Sequence, residues 1–322
     1  FGSSSSGFSH VAAAGWTAGR RLRMTASKAL EGLGEWEVDE SEVAMDTLLG
    51  SGASAKVYAG TWRGEPVAVK QLVQPVKSMS SKERESLCRE LAILQTVSHD
   101  HVVQMYGAIP HNPIRIITEL CSGGSCFELL HEAPDVELTW NQKIKICTDT
   151  AHAMIYLHSF EPPIIHRDLK SLNLLLVERV RSICDVPTVK LSDFGLSRLR
   201  EKHALMTRDV GTCHWMAPEI FQSLSYDEKV DVYSYAMLLY EVILRRVPFV
   251  EIADKKEIAN RVKRGERPSL AESPGDCPSM LQSLIRLCWH QDPCRRPDFE
   301  HVDQYLQMAT SDDRPQGKPL SL

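Results

Sequence analysis

The sequence has no apolar stretch of membrane-spanning length. Its longest, 230–244, is interrupted by Asp231 and Glu241 and falls short of the ~20 residues a bilayer demands. It also lacks a cationic surplus. With 37 Lys and Arg against 42 Asp and Glu, the net charge is -5, which argues against nucleic acid or an acidic membrane as the principal partner. A disulfide framework is missing too: nine cysteines are scattered without paired spacings, as suits a reducing compartment rather than a secreted scaffold. Cys277, Cys288 and Cys294 lie near His290 and His301, but the spacings match no common zinc pattern and leave these as buried or free thiols. No internal repeat occurs, which excludes a solenoid or propeller.

What is present is an ordinary globular composition. The 322 residues are 43% hydrophobic and 25% charged, enough for one large domain or two lobes with a sizeable core. The chain begins with Phe1, as a fragment of a longer protein would. Residues 1–42 start with a Ser-, Gly- and Ala-rich run carrying Arg20, Arg21 and Arg23, and are expected to form a flexible N-terminal segment. Residues 310–322 are expected to be a disordered tail. Between them the chain changes character once. Over 43–121, short β-branched runs bounded by glycine ("KVYAGTW", "PVAVKQLV", "VVQMYGAI", "IRIITEL") predict a small antiparallel sheet. One helix interrupts it: Ser80 and Glu83 form a capping-box start, and Leu87, Leu91 and Leu94 make a helical stripe. Over 122–309, helical patterns such as "WNQKIKICTDTAHAMIYLHS" and "KVDVYSYAMLLYEVIL" dominate. The fold class read from this is α+β with two lobes, and a cleft between lobes is a common place for a ligand.

Candidate chemistry lies along that cleft. In "GSGASAKVYAG", Gly50 and Gly52 let backbone N–H groups approach phosphate oxygens, but a third glycine is missing where Ala55 stands. No Gly-Lys-Ser/Thr follows, so this is not a Walker loop. In "VAVK", strand alternation puts Val67 and Val69 on one face and Ala68 with Lys70 on the other, where a small residue leaves room for a flat ligand. Glu90 falls on or beside the apolar stripe of the helix, and a buried carboxylate there needs a partner such as Lys70. In "IIHRDLKSLNLLL", His166, Arg167, Asp168, Lys170 and Asn173 are packed between apolar anchors. Asp168 can accept a hydroxyl proton, Lys170 can stabilise charge on a transferring group, and Asn173 offers a hard oxygen for Mg2+. Asp193, in "KLSDFGLS" just after a strand, supplies a second oxygen ligand.

The ordered set GxGxxA, VAVK, a helical glutamate, HRDLKSLN, DFG and APE resembles the protein kinase family over about 43–309. "WEVDESEV", "YAGTWRGEPVAVK", "HRDLKSLNLLL" and "GTCHWMAPE" are similar to the tyrosine kinase-like group, which includes the Raf and mixed-lineage kinases. The resemblance implies a bilobal kinase fold, with a small β lobe carrying one helix (43–121) and a larger helical lobe (122–309). It implies ATP and Mg2+ as cofactors. Leu49, Gly50, Ser51, Gly52 and Ala55 would cover the nucleotide, and Val57, Ala68 and Leu175 would sandwich adenine. Thr118 would be the gatekeeper, with Glu119 to Cys121 as the hinge. Lys70, paired with Glu90, would hold phosphates; Asp168 would accept the substrate proton; Asn173 and Asp193 would hold the metal. Leu94, Met105, His166 and Phe194 would form an apolar column between the lobes, and Glu219 with Arg296 a buttressing ion pair.

Lys170 and Thr212 favour Ser/Thr over Tyr substrates, with dual specificity as an alternative. Arg167 would receive a phosphate on an activation loop that offers Ser197, Thr207 and Thr212, Thr207 being the expected switch. Expected partners are a protein substrate and an activating kinase or autophosphorylation; a homodimer is compatible with the resemblance. The expected location is cytoplasmic, where ATP and reduced thiols are found. The rival reading is a pseudokinase scaffold, disfavoured because Lys70, Glu90, Asp168, Asn173 and Asp193 are all retained. A small-molecule kinase is disfavoured by "GTCHWMAPE", which resembles a protein-substrate platform. Departures from the pattern are Ser54 and Ala55 in the glycine loop, Tyr233 and Ala236 in "DVYSYA", and a long stretch before "DFG" expected to be a mobile hairpin. Ala55 would cost about 1–2 kcal/mol if its φ had to be positive, and a looser lid with weaker ATP affinity is the expectation.

Overall fold

The structure, a computed structural model, describes residues 33–52, 55–194, 212–222 and 226–312. The β-branched runs form an antiparallel five-stranded sheet: β1 (Val43–Ser51), β2 (Ala55–Trp62), β3 (Glu65–Leu72), β4 (Met105–Ile109) and β5 (Arg115–Glu119), in the order β1-β2-β3-β5-β4. β3 is central. Val67 and Val69 are fully buried against Val38, Ile109 and Ile117, so alternation turns Ala68 and Lys70 to the opposite face.

Helix α1 (Ser81–Thr96) starts on the reciprocal capping box expected: Glu83 N donates to Ser80 Oγ at 3.3 Å, and Ser80 N donates to Glu83 Oε2 at 2.6 Å. Leu87, Leu91 and Leu94 are buried, so the helix is docked by the stripe that defines it.

Residues 33–42 carry regular structure inside the segment whose composition reads as a flexible arm. Two 3-10 turns, Gly34–Trp36 and Glu40–Glu42, flank Val38, whose N–H donates to Ala108 O at 3.0 Å beside β4. Leu33 and Val38 are buried. A few apolar residues find a partner edge there, and a compositional window dominated by Ser and Gly conceals them.

The larger lobe comprises α2 (Trp140–His158), the short strands β6 (Leu174–Leu176) and β7 (Val189–Leu191), α3 (Pro218–Phe221), α4 (Lys229–Leu244), α5 (Lys255–Lys263), α6 (Ser279–Cys288) and α7 (Phe299–Asp312). Every residue of α4 from Val230 to Ile243 is buried. A helix apolar nearly all round belongs at the centre of a lobe. The long β6–β7 connection is anchored, contrary to the mobile hairpin expected. Gln142, in the capping box of α2, donates through Nε2 to Ser182 O at 2.9 Å and Asp185 O at 2.7 Å. Asp185 in turn accepts from the Arg181 and Ser182 amides. One apolar cluster runs from Leu87 and Met105 in the small lobe to α4 in the large one. Among the described residues no helix is long and apolar enough to cross a membrane.

Candidate active site

The β6–β7 ladder explains how two separate loops meet. Leu174 pairs with Leu191, so Asn173, just before β6, lies opposite Ser192, just after β7, with Asp193 next. Ser192 donates through both N and Oγ to Asn173 O at 2.9 Å. Asn173 Nδ2 donates to Asp168 O at 2.8 Å and to Asp168 Oδ2 at 3.0 Å. Lys170 Nζ donates to the same Oδ2 at 2.7 Å. Asp168, Lys170 and Asn173 therefore form one hydrogen-bonded group, and Ser192 ties it to the loop of Asp193.

The loop before them is held from below. Asp231, inaccessible in α4, accepts from the backbone N–H of His166 (2.9 Å) and Arg167 (2.8 Å) and from His158 Nε2 (3.0 Å). These bonds stabilise a turn in which Arg167 has φ 69°, a left-handed conformation rare outside glycine. Asp193 is also left-handed, with φ 62°. Non-glycine residues held this way cluster at functional sites.

From above, Lys70 meets Asp193 Oδ1 at 2.5 Å and Glu90 Oε1 at 3.6 Å. Burial by itself would lower the pKa of the Lys70 ammonium, but the carboxylates of Asp193 and Glu90 outweigh it and raise the pKa. The neighbouring Lys70 charge holds the Asp193 carboxyl below the usual carboxylate range. Glu90 behaves oppositely: burial, only partly countered by Lys70, pushes its carboxyl up to about 7. Its Oε2 is buried with no hydrogen-bond partner, the structural counterpart of that shift.

Around this ionic centre the apolar residues split into two sets. Val67, Val69, Leu174 and Leu176 are buried, whereas Val57, Ala68 and Leu175 are half-exposed. Thr118 pairs with Ala68, and Glu119 with Val67, at the end of β5. Glu119 N donates to Gln104 O at 2.9 Å, and its Oε1 accepts from Gln104 N at 2.7 Å and from Lys190 Nζ at 2.8 Å. Cys121 follows, half-buried, its thiol pushed up to about 11 by burial.

Leu49, Gly50 and Ser51 end β1, Gly52 follows it, and all four are exposed; Gly52 N donates to Ala55 O at 2.9 Å. A side chain at Gly50 would meet nothing within 4 Å, and one at Gly52 would meet only Ala55 O at 3.6 Å. Nothing among the described residues requires glycine at either position. Ala55 opens β2 as a strand residue in register with Leu72, so the strain considered for it does not arise.

The interlobe column is buried throughout: Leu94, Met105, His166 and Phe194, with the His166 and Phe194 rings edge-to-face at 5.2 Å. Arg296 reaches both carboxylate oxygens of Glu219, at 2.6 and 2.9 Å. The Arg167 guanidinium lies 5.0 Å over the Tyr226 ring, and its buried Nε has no hydrogen-bond partner among the described residues. Ser54, Gly195, Ser197 and Thr207 lie outside the described residues. Sequence reasoning missed the roles of Lys190, Ser192 and Glu241. Only Glu241 left a signal, as the second carboxylate, with Asp231, in a mainly apolar helix.

Two lobes, a lysine held between helical and loop carboxylates, and an aspartate–lysine–asparagine loop define the class of this protein. The chain belongs to the protein tyrosine and serine/threonine kinase family, whose model matches residues 43–306. It is 38% identical over 272 residues to the RGS domain-containing serine/threonine-protein kinase A of Dictyostelium discoideum, covering 84% of this chain and 23% of that protein. It is 37% identical over 269 residues to mitogen-activated protein kinase kinase kinase 7 of Homo sapiens, covering 83% of this chain and 41% of that protein. With the serine/threonine-protein kinase STY17 of Arabidopsis thaliana it shares 32% over 293 residues, 89% of this chain and 49% of the relative. The chain thus spans less than half the length of each of these relatives. They agree with the resemblance to the tyrosine kinase-like group and with a kinase of the serine/threonine type.

Proposed function

We propose that this domain transfers the γ-phosphoryl group of ATP to Ser or Thr hydroxyls of protein substrates, in signalling, with Mg2+ as the metal. The observation that carries the reading is the joining of Asp168, Lys170 and Asn173 to the loop of Asp193, while Lys70 reaches Asp193 from the other lobe. Val57, Ala68 and Leu175, apolar yet half-exposed, fit the two faces of a planar base. Glu119 uses its N–H on Gln104, so the base would meet the Glu119 carbonyl and the Cys121 backbone. Gly50 and Gly52, which no described neighbour requires, leave room for phosphate oxygens at the end of β1.

The donor set suits Mg2+. Asn173 uses Nδ2 on Asp168, which leaves Oδ1 as a hard oxygen, and Asp193 supplies a carboxylate. Mg2+ takes few protein ligands and completes its shell with phosphate and water oxygens, so two donors suffice. When bound, the ion supplies neutralisation of phosphate charge. Lys70 would hold the phosphates, and Asp168, whose Oδ1 is used by neither Lys170 nor Asn173, would take the hydroxyl proton while Lys170 stabilises charge beside it.

Arg167, whose buried Nε has no hydrogen-bond partner among the described residues, is the natural receiver of a phosphate from 195–211, and Thr207 is the proposed switch. Activation by another kinase or by autophosphorylation, a cytoplasmic setting and homodimerisation belong to this proposal. Labelled-ATP transfer with Mg2+ to a generic Ser/Thr protein tests it. Wild type should transfer and Asp168→Asn should lose roughly two to four orders of magnitude, as removal of a general base does; equal signals overturn the reading.

A further inference from the structure

Outside the candidate active site, three histidine rings are packed together. His101 lies 5.7 Å from His99 and 5.9 Å from His152, centroid to centroid. His152 stands on α2, whereas His99 and His101 belong to the segment 97–104 that joins α1, the helix of Glu90, to β4. The backbone of this segment runs beside β7: Leu191 N donates to His101 O at 2.9 Å, and Val103 N donates to Leu191 O at 2.9 Å. Asp193 follows β7 by two residues. The segment therefore adjoins both elements that bring carboxylates to Lys70.

The His101 ring is set between two acceptors. Its Nδ1 lies 3.1 Å from Val189 O, and its Nε2 lies 3.5 Å from Asp149 Oδ1. A carbonyl can only accept, so Nδ1 carries a proton. A neutral imidazole then has a bare Nε2, and its lone pair faces a carboxylate oxygen. Only the doubly protonated ring suits both neighbours. Asp149 is buried in α2 and also accepts from Val189 N at 3.1 Å and from Lys145 Nζ at 2.5 Å. An imidazolium at 101 thus joins the segment 97–104 to β7 and to α2 at once.

The other groups around the ring have different needs. On the same segment, His99 Nδ1 accepts from His101 N at 3.2 Å, so His99 keeps that nitrogen bare, and its ring stacks on Tyr156 of α2 at 4.8 Å. Burial, with the neighbouring His101, holds the His99 pKa below the ordinary histidine value; His152 and Lys190 act in the same direction and Asp100 opposes them. The Tyr156 hydroxyl accepts from Ser98 N at 2.9 Å. His152 turns Nε2 to Asp303 of α7 at 3.1 Å, which one proton satisfies. Lys145 shares Asp149 Oδ1 with His101, and Lys190 on β7 is paired with Glu119 at 2.8 Å. Of the three rings, His101 is the one whose partners call for two protons.

We propose that His101 is a proton-operated latch, which fastens the segment 97–104 to α2 through Asp149 when both ring nitrogens carry protons and releases that hold when Nε2 loses its proton. The contact exists only in the protonated ring, so its contribution is complete at acid pH and is lost as the pH rises through the titration of His101. The released segment should hold α1 and β7, and with them Glu90 and Asp193, less firmly towards Lys70. That consequence for phosphate transfer rests on the kinase reading above; the latch itself does not.

His101→Asn keeps a donor for Val189 O and cannot take up a second proton. Thermal unfolding of wild type and His101→Asn at matched pH, from about pH 5 to 8, should show the wild-type advantage falling by about 2–4 °C as the pH rises, the order of shift that one charged contact gives in a domain of this size. Both proteins retain Glu90, so its own titration cancels in the difference. A constant difference overturns the proposal. Lys145→Gln removes the competing ammonium from Asp149 and should move the wild-type course to higher pH; an unmoved course overturns the proposal as well.

Ring nitrogen NMR shifts of the wild type need no variant. His101 should pass from two protonated nitrogens to one over the same range, while His99 keeps its bare Nδ1. A His101 ring with a single proton throughout overturns the latch. The ratio of phosphate transfer, wild type over His101→Asn, should fall along the same course. A flat ratio beside a moving Tm difference overturns the coupling to the cleft. Wild type that transfers no phosphate would instead overturn the kinase reading, and unfolding and ring shifts would still decide the latch.

Discussion

At the scale of residues, Glu90 and Asp193 show how one lysine can have two different effects. Both carboxylates meet Lys70, but Asp193 lies 2.5 Å from it and the lysine charge lowers its pKa, whereas Glu90 lies at 3.6 Å, enclosed on α1, and burial raises its pKa to about 7. Desolvation wins where an oxygen is left without a donor, as Glu90 Oε2 is. The sign for stability follows. The folded pKa of Glu90 lies above its unfolded value of 4.5, so the folded state binds the extra proton between pH 4.5 and 7. The stabilisation from that proton is complete below pH 4.5 and is lost as the pH rises through 7, by on the order of 3 kcal/mol at most. Glu90→Gln lacks that titration. Wild type should therefore lose stability relative to Glu90→Gln between pH 5 and 8, read as a diverging Tm. A constant difference would show that the carboxyl titrates in the ordinary range.

At the scale of elements, the hairpin of β1 and β2 resolves the missing glycine. Ala55 pairs with Leu72 in extended backbone, its methyl buried, and Gly52 N closes the turn onto its carbonyl. Glycine there would add conformational freedom to a strand and remove a buried methyl. Ala55→Gly should cost about 0.5–1 kcal/mol in urea unfolding and should not lower the KM for ATP. A clear fall in that KM would restore the looser-lid expectation. Helix α1 illustrates the complementary case, in which local signals were sufficient. The Ser80–Glu83 box and the Leu87–Leu91–Leu94 stripe are both local, and both are found in place. Helix α4 is legible as a helix, but its periodicity is weak because every face is buried, and the partners of its carboxylates are remote in sequence.

At the scale of the whole molecule, buried charge is organised by α4 and its neighbours. Arg296 bonds both oxygens of Glu219 and also donates to His290 O at 2.8 Å and Lys229 O at 2.9 Å. Both members of the pair are buried, so removing one strands the other in a dry site. Arg296→Leu should cost about 3–5 kcal/mol, measured by denaturant unfolding, with weakened attachment of the segment from Trp215 to Phe221. A loss below about 1 kcal/mol, the range of an exposed pair, would show that water relaxes into the site. The segment 33–42 also belongs to this scale, since Leu33 and Val38 are ordered only by what they pack against.

The sequence by itself determined the elements and singled out the candidate polar groups, because periodicity, capping and motif spacing are local properties. It pointed to Lys70, Asp168, Asn173 and Asp193 and took Lys70 as the best partner for a carboxylate beside a helix's apolar stripe, and the two meet at 3.6 Å. Tertiary structure alone decided which carboxylate takes up the proton, where Ala55 sits in the ladder, and why α4 contains Asp231 and Glu241. Burial and partner donors set those outcomes, and the donors to Glu241 are as far apart in sequence as His131, Ser171 and Trp215. No local pattern records such a meeting, because the free energy of a buried charge depends on donors that only the packed chain brings to it.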